Sequence, residues 1–177
     1  MIDKKGLTLL EILLSTILLT VGTLSLFSAM AVVKKAEVDT EMITLATILA
    51  RDIMDEILSK AFEDPDLPSG SFGREELIIP RSNYDDVDDY DGWSETPPQS
   101  VAGVSYNGAG GTPNYSMFTR AVIVENVPQT NFNAAVPSAD GSTDAKRIGV
   151  TVSWIEKGGT AQVQLGSVVT EYHPQGR

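Results

Sequence analysis

The sequence predicts an α+β protein in which one long N-terminal helix, apolar in its first half, packs on a C-terminal antiparallel β-sheet. Three observations carry that expectation. Residues Leu7 to Val33 form a run of 27 with a single charge, Glu11. An amphipathic pattern free of glycine and proline then continues from Ala36 to Phe62. Beyond it, three runs of alternating apolar residues fall between Met117 and Tyr172. Strands that follow one helix, rather than alternating with several, indicate α+β and not repeated βαβ units.

Composition narrows the function classes. A chain of 177 residues holds one modest globular domain besides its first segment. The formal net charge of -11, with only 13 scattered basic residues, argues against a nucleic-acid surface, which needs clustered Lys and Arg to displace phosphate counterions. The absence of cysteine removes disulfides, thiolate metal sites and thiol nucleophiles together. The one histidine, His173, lies four residues from the C-terminus, and reads as an exposed tail residue rather than as part of a catalytic or metal constellation.

As a helix, Leu7 to Val33 is about 40 Å long, enough to cross a hydrocarbon core of about 30 Å. Lys4 and Lys5 precede it and Lys34 and Lys35 follow, so local charge sets no orientation. The run exceeds the ~7–15 apolar residues of a secretory signal, although Phe27 to Ala31 ("FSAMA") offers a cleavage-like site. Hydropathy therefore favours an uncleaved anchor, with a secretory signal second. Glu11 is the anomaly, since a central intramembrane carboxylate costs about 2.5–3.5 kcal/mol on insertion scales.

Counting from Gly6 gives Glu11 a place. In "KKGLTLLE" a glycine stands directly before the apolar run and Glu11 is the fifth residue after it. This motif resembles the class III leader of type IV prepilins and pseudopilins, with Leu7 where those families most often have Phe. The resemblance implies a leader of residues 1–6, cleavage by a prepilin peptidase between Gly6 and Leu7, and N-methylation of Leu7. It also implies that Glu11 faces the Leu7 amine of a neighbouring subunit in a filament. Such a pairing offsets the desolvation of an otherwise isolated carboxylate. The plain alternative is a Glu that snorkels to the headgroups at the start of an ordinary anchor.

The helical pattern divides at about residue 35 into a membrane half (7–35) and an amphipathic half (36–63). In the second half Met42, Leu45, Leu49, Ile53, Ile57 and Phe62 recur mostly at three- and four-residue steps, widened by Ala46, Leu58 and Ala61. Asp64 before Pro65 marks its expected end. The whole of Leu7 to Phe62 would run about 84 Å, and the resemblance gives that length a meaning, as the first helix of a type IV pilin.

The remainder, 64–177, reads as an extracytoplasmic β-rich domain. Glu76 to Pro80 is a short strand candidate, and Met117 to Val127 a longer one. In "RIGVTVSWIE", Ile148, Val150, Val152 and Trp154 share one face; "KGGT" supplies a hairpin turn, and Val163, Leu165 and Val169 follow in step. This order also looks like the C-terminal sheet of minor pilins and pseudopilins.

Long loops are expected at 81–116 and 128–145. The first carries Asp85, Asp86, Asp88, Asp89 and Asp91 within seven residues. A solvated acidic loop is the plain reading; Ca2+, which takes six to eight oxygens, is the candidate cofactor, although the EF-hand pattern fails because Val87 stands at its first position. Acid–base catalysis by these carboxylates lacks any companion signal. Tyr90, Trp93, Tyr106 and Tyr115 are expected to pin the loop to the sheet rather than to form an exposed binding surface. "GAGG" at Gly108 to Gly111 lies in a Pro- and Asn-rich loop and is not a phosphate cradle. The string "DDVDDYDGW" resembles a segment of minor pilins of the mannose-sensitive haemagglutinin type.

Three functions compete. The first is a non-enzymatic structural subunit, a minor pilin or pseudopilin for adhesion, secretion or surface contact. The resemblance implies its partners: other pilins, the prepilin peptidase, an inner-membrane assembly platform and the membrane itself, with no nucleic acid. It also implies residence in a bacterial inner membrane, then in a periplasmic or extracellular filament. The second is a non-polymerising bitopic protein with a periplasmic binding domain, dependent on Ca2+ in one version. The third, a secreted enzyme, has no catalytic constellation to support it.

Overall fold

The computed structural model describes residues 8–65, 72–74, 80–134, 143–156 and 158–171. Gly6, Leu7, His173 and all of the strand candidate Glu76 to Pro80 except Pro80 lie outside the described residues. The architecture is α+β: one long helix, α1 (Leu9–Leu58), and a four-stranded antiparallel sheet. By internal contacts the chain forms two units, Met1–Met42 and Ile43–Arg177.

In the first unit every described residue from Thr8 to Val38 is exposed. This part of α1 is long and apolar enough to cross a membrane by length and composition. Its hydroxyls are consistent with such a medium, because they are satisfied inside the helix. Ser15 donates to Glu11 O at 2.7 Å, Thr16 to Leu13 O at 2.9 Å, Thr20 to Ile17 O at 2.8 Å and Ser25 to Val21 O at 2.9 Å. A hydroxyl bonded back to its own helix presents little unsatisfied polarity to hydrocarbon.

In the second unit α1 buries Ala46, Leu49, Ala50, Ile53, Met54 and Ile57. Ala46, Leu49, Ile53 and Ile57 belong to the expected stripe and Ala50 and Met54 join it at three- and four-residue steps on one face, whereas Met42 and Leu45 are half-buried and Leu58 is exposed. The helix ends at Leu58, earlier than the Asp64–Pro65 signal predicts. The cause is tertiary. Ala61 is drawn out of helical pairing because its N–H donates to Asp85 O at 3.1 Å and its carbonyl accepts Val87 N–H at 3.1 Å. Ser59 and Lys60 close the last turn with tighter bonds to Glu56 O and Ile57 O.

The sheet runs in the order β1 (Ser94–Glu95), β2 (Phe118–Asn126), β3 (Ala145–Glu156), β4 (Gly159–Thr170), each strand antiparallel to the next. Ile148, Val150, Val152 and Trp154 are buried, as their alternation predicts. They continue a core formed with Phe118, Val122 and Val124 of β2. Gly158 lies in the β3–β4 turn at φ +120°, a conformation other residues rarely adopt. β1 has no counterpart in the sequence reading; it is two residues within the expected 81–116 loop.

Candidate functional site

Two places carry the residues singled out by sequence. At the head of α1, Glu11 sits in the first turn with its N–H directed at Thr8 O (3.0 Å) and, more weakly, at Thr8 Oγ1 (3.4 Å). Ile12 N–H also donates to Thr8 O, at 3.2 Å. Thr8-Leu9-Leu10-Glu11 is thus a Thr-x-x-Glu capping pattern, legible in the sequence and missed there. A carboxylate in the first turn also meets the positive end of the helix dipole. Glu11 therefore has a local role available within a single chain, besides any role between chains.

The second place is the acidic loop, where the plain expectation is corrected: this is not a solvated acidic run. Asp86, Asp88 and Asp89 are buried. Their oxygens serve the backbone and one cation. Asp89 Oδ2 accepts the N–H groups of Asp85 (2.9 Å) and Asp86 (3.4 Å), and Asp89 N–H returns a bond to Asp86 Oδ1 at 3.0 Å. Asp88 Oδ2 accepts Gly73 N–H at 2.9 Å, and Asp88 Oδ1 pairs with Lys146 Nζ. Lys146 Nζ also donates to Phe62 O and lies 4.7 Å from the Phe62 ring centroid. Asp91 turns the other way and accepts Val124 N–H at 2.9 Å.

The Ca2+ expectation finds no support in this geometry. Among the described residues no three carboxylate or imidazole side chains gather so as to hold a metal ion. Asp86 and Asp89 are instead interlocked through each other's backbone, Asp91 serves Val124 N–H, and a lysine pairs with Asp88. Asp86 Oδ2 and Asp89 Oδ1 are buried without a hydrogen-bond partner among the described residues. Burial and then the Asp88 charge push the Asp86 carboxyl up to about 8, so at neutral pH it is held largely protonated.

Beside the loop lies a second charged cluster that sequence reasoning did not find. Arg81 Nε donates to Glu56 Oε1 (2.8 Å) and Arg81 Nη1 to Glu95 Oε2 (3.1 Å). Arg120, fully buried on β2, donates through Nε to Glu95 Oε1 (2.7 Å) and through Nη1 to Asp52 Oδ2 (3.0 Å). Both guanidinium groups also donate to Gln99 O, at 3.1 and 2.7 Å. Trp93 lies 4.9 Å from Arg81 and 5.8 Å from Arg120, measured from guanidinium carbon to ring centroid. Tyr90 donates to Glu56 Oε1 at 2.7 Å, and burial followed by that bond raises its phenol pKa.

These arrangements tie the loop to α1 and β2. An open hollow of about 370 Å3 borders this cluster, lined by Arg81, Tyr84, Trp93, Glu95 and Gln99 among others. Arg81 and Glu95 at its wall are matched within the chain, while Arg74, also at the wall, donates to Tyr84 Oη at 2.6 Å and lies 5.8 Å from the Tyr84 ring centroid. Tyr90 packs edge-on against Tyr84 (4.9 Å) and Trp93 (6.4 Å) within the loop itself, and the ring contact that reaches the sheet is that of Tyr115 with Phe118 of β2. Tyr106, Tyr115 and Phe118 continue a similar chain, with centroids 6.0 and 6.4 Å apart.

One signal could have found the buried cations. Arg120 is in step with Phe118, Val122 and Val124, and Lys146 is in step with Ile148 and Val150. A charged residue at a core-face position of a period-two strand announces a buried partner.

No protein-family model, curated protein or solved structure is significantly similar to the chain.

Proposed function

We propose that the chain is a structural subunit of a type IV pilin-like filament, a minor pilin or pseudopilin. It is held first in the inner membrane by α1 and incorporated after removal of residues 1–6. The observation that carries this reading is the register of Gly6, Leu7 and Glu11 at the head of a helix whose residues 8–38 are all exposed. So much uncovered apolar surface requires another medium, lipid first and neighbouring helices afterwards. Glu11 is then the one charge that an incoming subunit's terminal amine neutralises. In the second unit Arg81, Arg120, Lys146, Glu56, Glu95 and Asp88 tie the loop to α1, β2 and β3.

Intact mass of the protein from cells with and without prepilin peptidase tests the reading. The expected product lacks Met1 to Gly6 and carries one added methyl group on Leu7. An unprocessed N-terminus overturns it in favour of a bitopic protein, and cleavage near Ala31 would point to a secreted one.

A further inference from the structure

The chain contains no cysteine, so no disulfide can tie the acidic loop to the sheet. One buried cluster nevertheless holds the reactants for a covalent tie of another kind. Asp86, Asp88 and Lys146 are 1%, 0% and 0% exposed, and Lys146 Nζ is in contact with Asp88 Oδ1. Contact with Oδ1 leaves the nitrogen one carboxyl bond beyond Cγ, close to the ~3–3.5 Å separation of a near-attack conformer.

The groups around that contact are those acyl transfer needs. Phe62 O accepts from Lys146 Nζ, and the Phe62 ring, 4.7 Å from the same atom, supplies an apolar wall. Asp88 Oδ2 accepts Gly73 N–H at 2.9 Å, which sets a backbone donor on the oxygen where negative charge develops during attack on Cγ. Asp86 keeps Oδ1 on Asp89 N–H (3.0 Å), while no donor among the described residues reaches its buried Oδ2. Oδ2 is therefore the oxygen left to carry the proton that Asp86 holds at neutral pH. The side chain with which Asp86 shares a hydrogen bond is Asp88. A protonated carboxyl thus stands against the acyl group that Lys146 touches.

We infer that Lys146 and Asp88 condense into an intramolecular amide, with Asp86 carrying protons between the two. The newly folded chain holds them as the ion pair, and stability comparisons of that pair belong to the chain before conversion. Moving one proton from Nζ to Oδ1 exchanges two buried charges for two neutral groups, which a dry site favours. The free amine attacks Cγ, and Oδ2 takes up the negative charge beside Gly73 N–H. Asp86 gives its proton to Oδ1, the Cγ–Oδ1 bond breaks, the carbonyl re-forms and water leaves. The nitrogen then passes its surplus proton to Asp86, which ends as it began. The net change turns one ammonium and one carboxylate into one amide and one water, without oxidant, activator or cofactor. The amide N–H that remains keeps Phe62 O as its acceptor. The bond closes a span of 58 residues between the loop and β3, constraining the unfolded chain as a disulfide does elsewhere.

The inference goes beyond the filament reading and is tested apart from it, on the full unprocessed chain purified in detergent. Intact mass is followed during incubation at neutral pH. The expected species is lighter than the sequence mass by one water, about 18 Da, and digestion in denaturant should yield a branched peptide joining Asp88 to Lys146. Lys146→Arg should show neither. Should that variant misfold, Asp88→Asn keeps the shape of the acyl group and should form the same branched peptide with loss of ammonia, about 17 Da. Asp86→Asn, which retains both reactants and the acceptor for Asp89 N–H, should slow conversion at least tenfold. A chain that stays at its full mass overturns the inference. So does loss of one water without the branched peptide, or a loss that persists in Lys146→Arg, because a succinimide at Asp91-Gly92 has the same mass. Conversion of Asp86→Asn at the parent rate overturns the part assigned to Asp86. Processing after Gly6 leaves the one-water difference unchanged, so failure of either reading shows separately.

Discussion

Lys146 and Asp88 form an ion pair in which neither side chain is exposed to solvent, joining the start of β3 to the acidic loop. A pair so placed gains little over apolar packing, but removing one partner strands the other charge in a dry site. Lys146→Ala and Asp88→Ala are each expected to cost about 3–5 kcal/mol in chemical denaturation. Lys146→Met with Asp88→Leu should recover much of that loss. If either single change costs under about 1 kcal/mol, the pair is reached by water and this account of the loop is wrong.

Asp86, beside that pair, sets a pH dependence of defined sign. Its carboxyl is neutral in the fold up to about pH 8, whereas the unfolded chain ionises it near the ordinary carboxylate range of about 3.9. Between those limits the folded state holds more of this proton than the unfolded state does. Stability from this group therefore falls as pH rises, by up to about 1.4 kcal/mol per pH unit, and the loss is complete above about 8. Asp86→Asn keeps an oxygen for Asp89 N–H and removes the titration. The stability gained by Asp86→Asn should grow from pH 5 to pH 8 in denaturation curves. A constant difference would show that Asp86 ionises freely.

Arg120 is the second buried cation, and its fork serves Glu95, Asp52 and Gln99 O together. A lysine reaches one of these at best. Arg120→Lys should therefore lose most of the ~3–5 kcal/mol that Arg120→Met loses. A near-neutral Arg120→Lys in thermal or urea unfolding would mean that the charge, not the planar fork, matters.

Asp91 finishes the β2 edge by standing in for a strand at Val124 N–H. Asp91→Ala should cost about 1–3 kcal/mol and speed exchange of the Val124 amide, while Asp91→Asn, which retains an acceptor oxygen, should cost less. Equal losses would place the effect in the carboxylate charge instead.

The contrast between these residues and the well-predicted ones explains what the sequence discloses. Ile53, Ile57, Val150 and Val152 were legible because burial imposes a local period, 3.6 on a helix and 2 on a strand. The aspartates were misread because their partners are remote: Lys146 lies 58 residues from Asp88, and Val124 lies 33 from Asp91. No spacing within "DDVDDYD" encodes those meetings, so a local rule could offer only solvent or a metal. The end of α1 was misplaced for the same reason, since Ala61 is captured by the backbone of Asp85 and Val87. Glu11 differs again: its capping pattern is local, and hydropathy distracted from it.

That capping pattern sharpens the test of assembly. If Glu11 serves only to cap α1, glutamine serves as well, because both residues occupy the third position of a capping box. If Glu11 neutralises a neighbour's terminal amine, glutamine fails, because the charge is gone while the shape remains. Glu11→Gln is therefore more decisive than Glu11→Ala, which removes both functions. The filament reading expects Glu11→Gln to be inserted in the membrane and cleaved after Gly6 at the normal rate, yet to be lost from sheared filaments by at least tenfold. Glu11→Asp, which keeps the charge on a shorter arm, should retain part of the incorporation. Normal incorporation of Glu11→Gln would leave helix capping as the whole role of this carboxylate and remove the central support for charge-directed assembly.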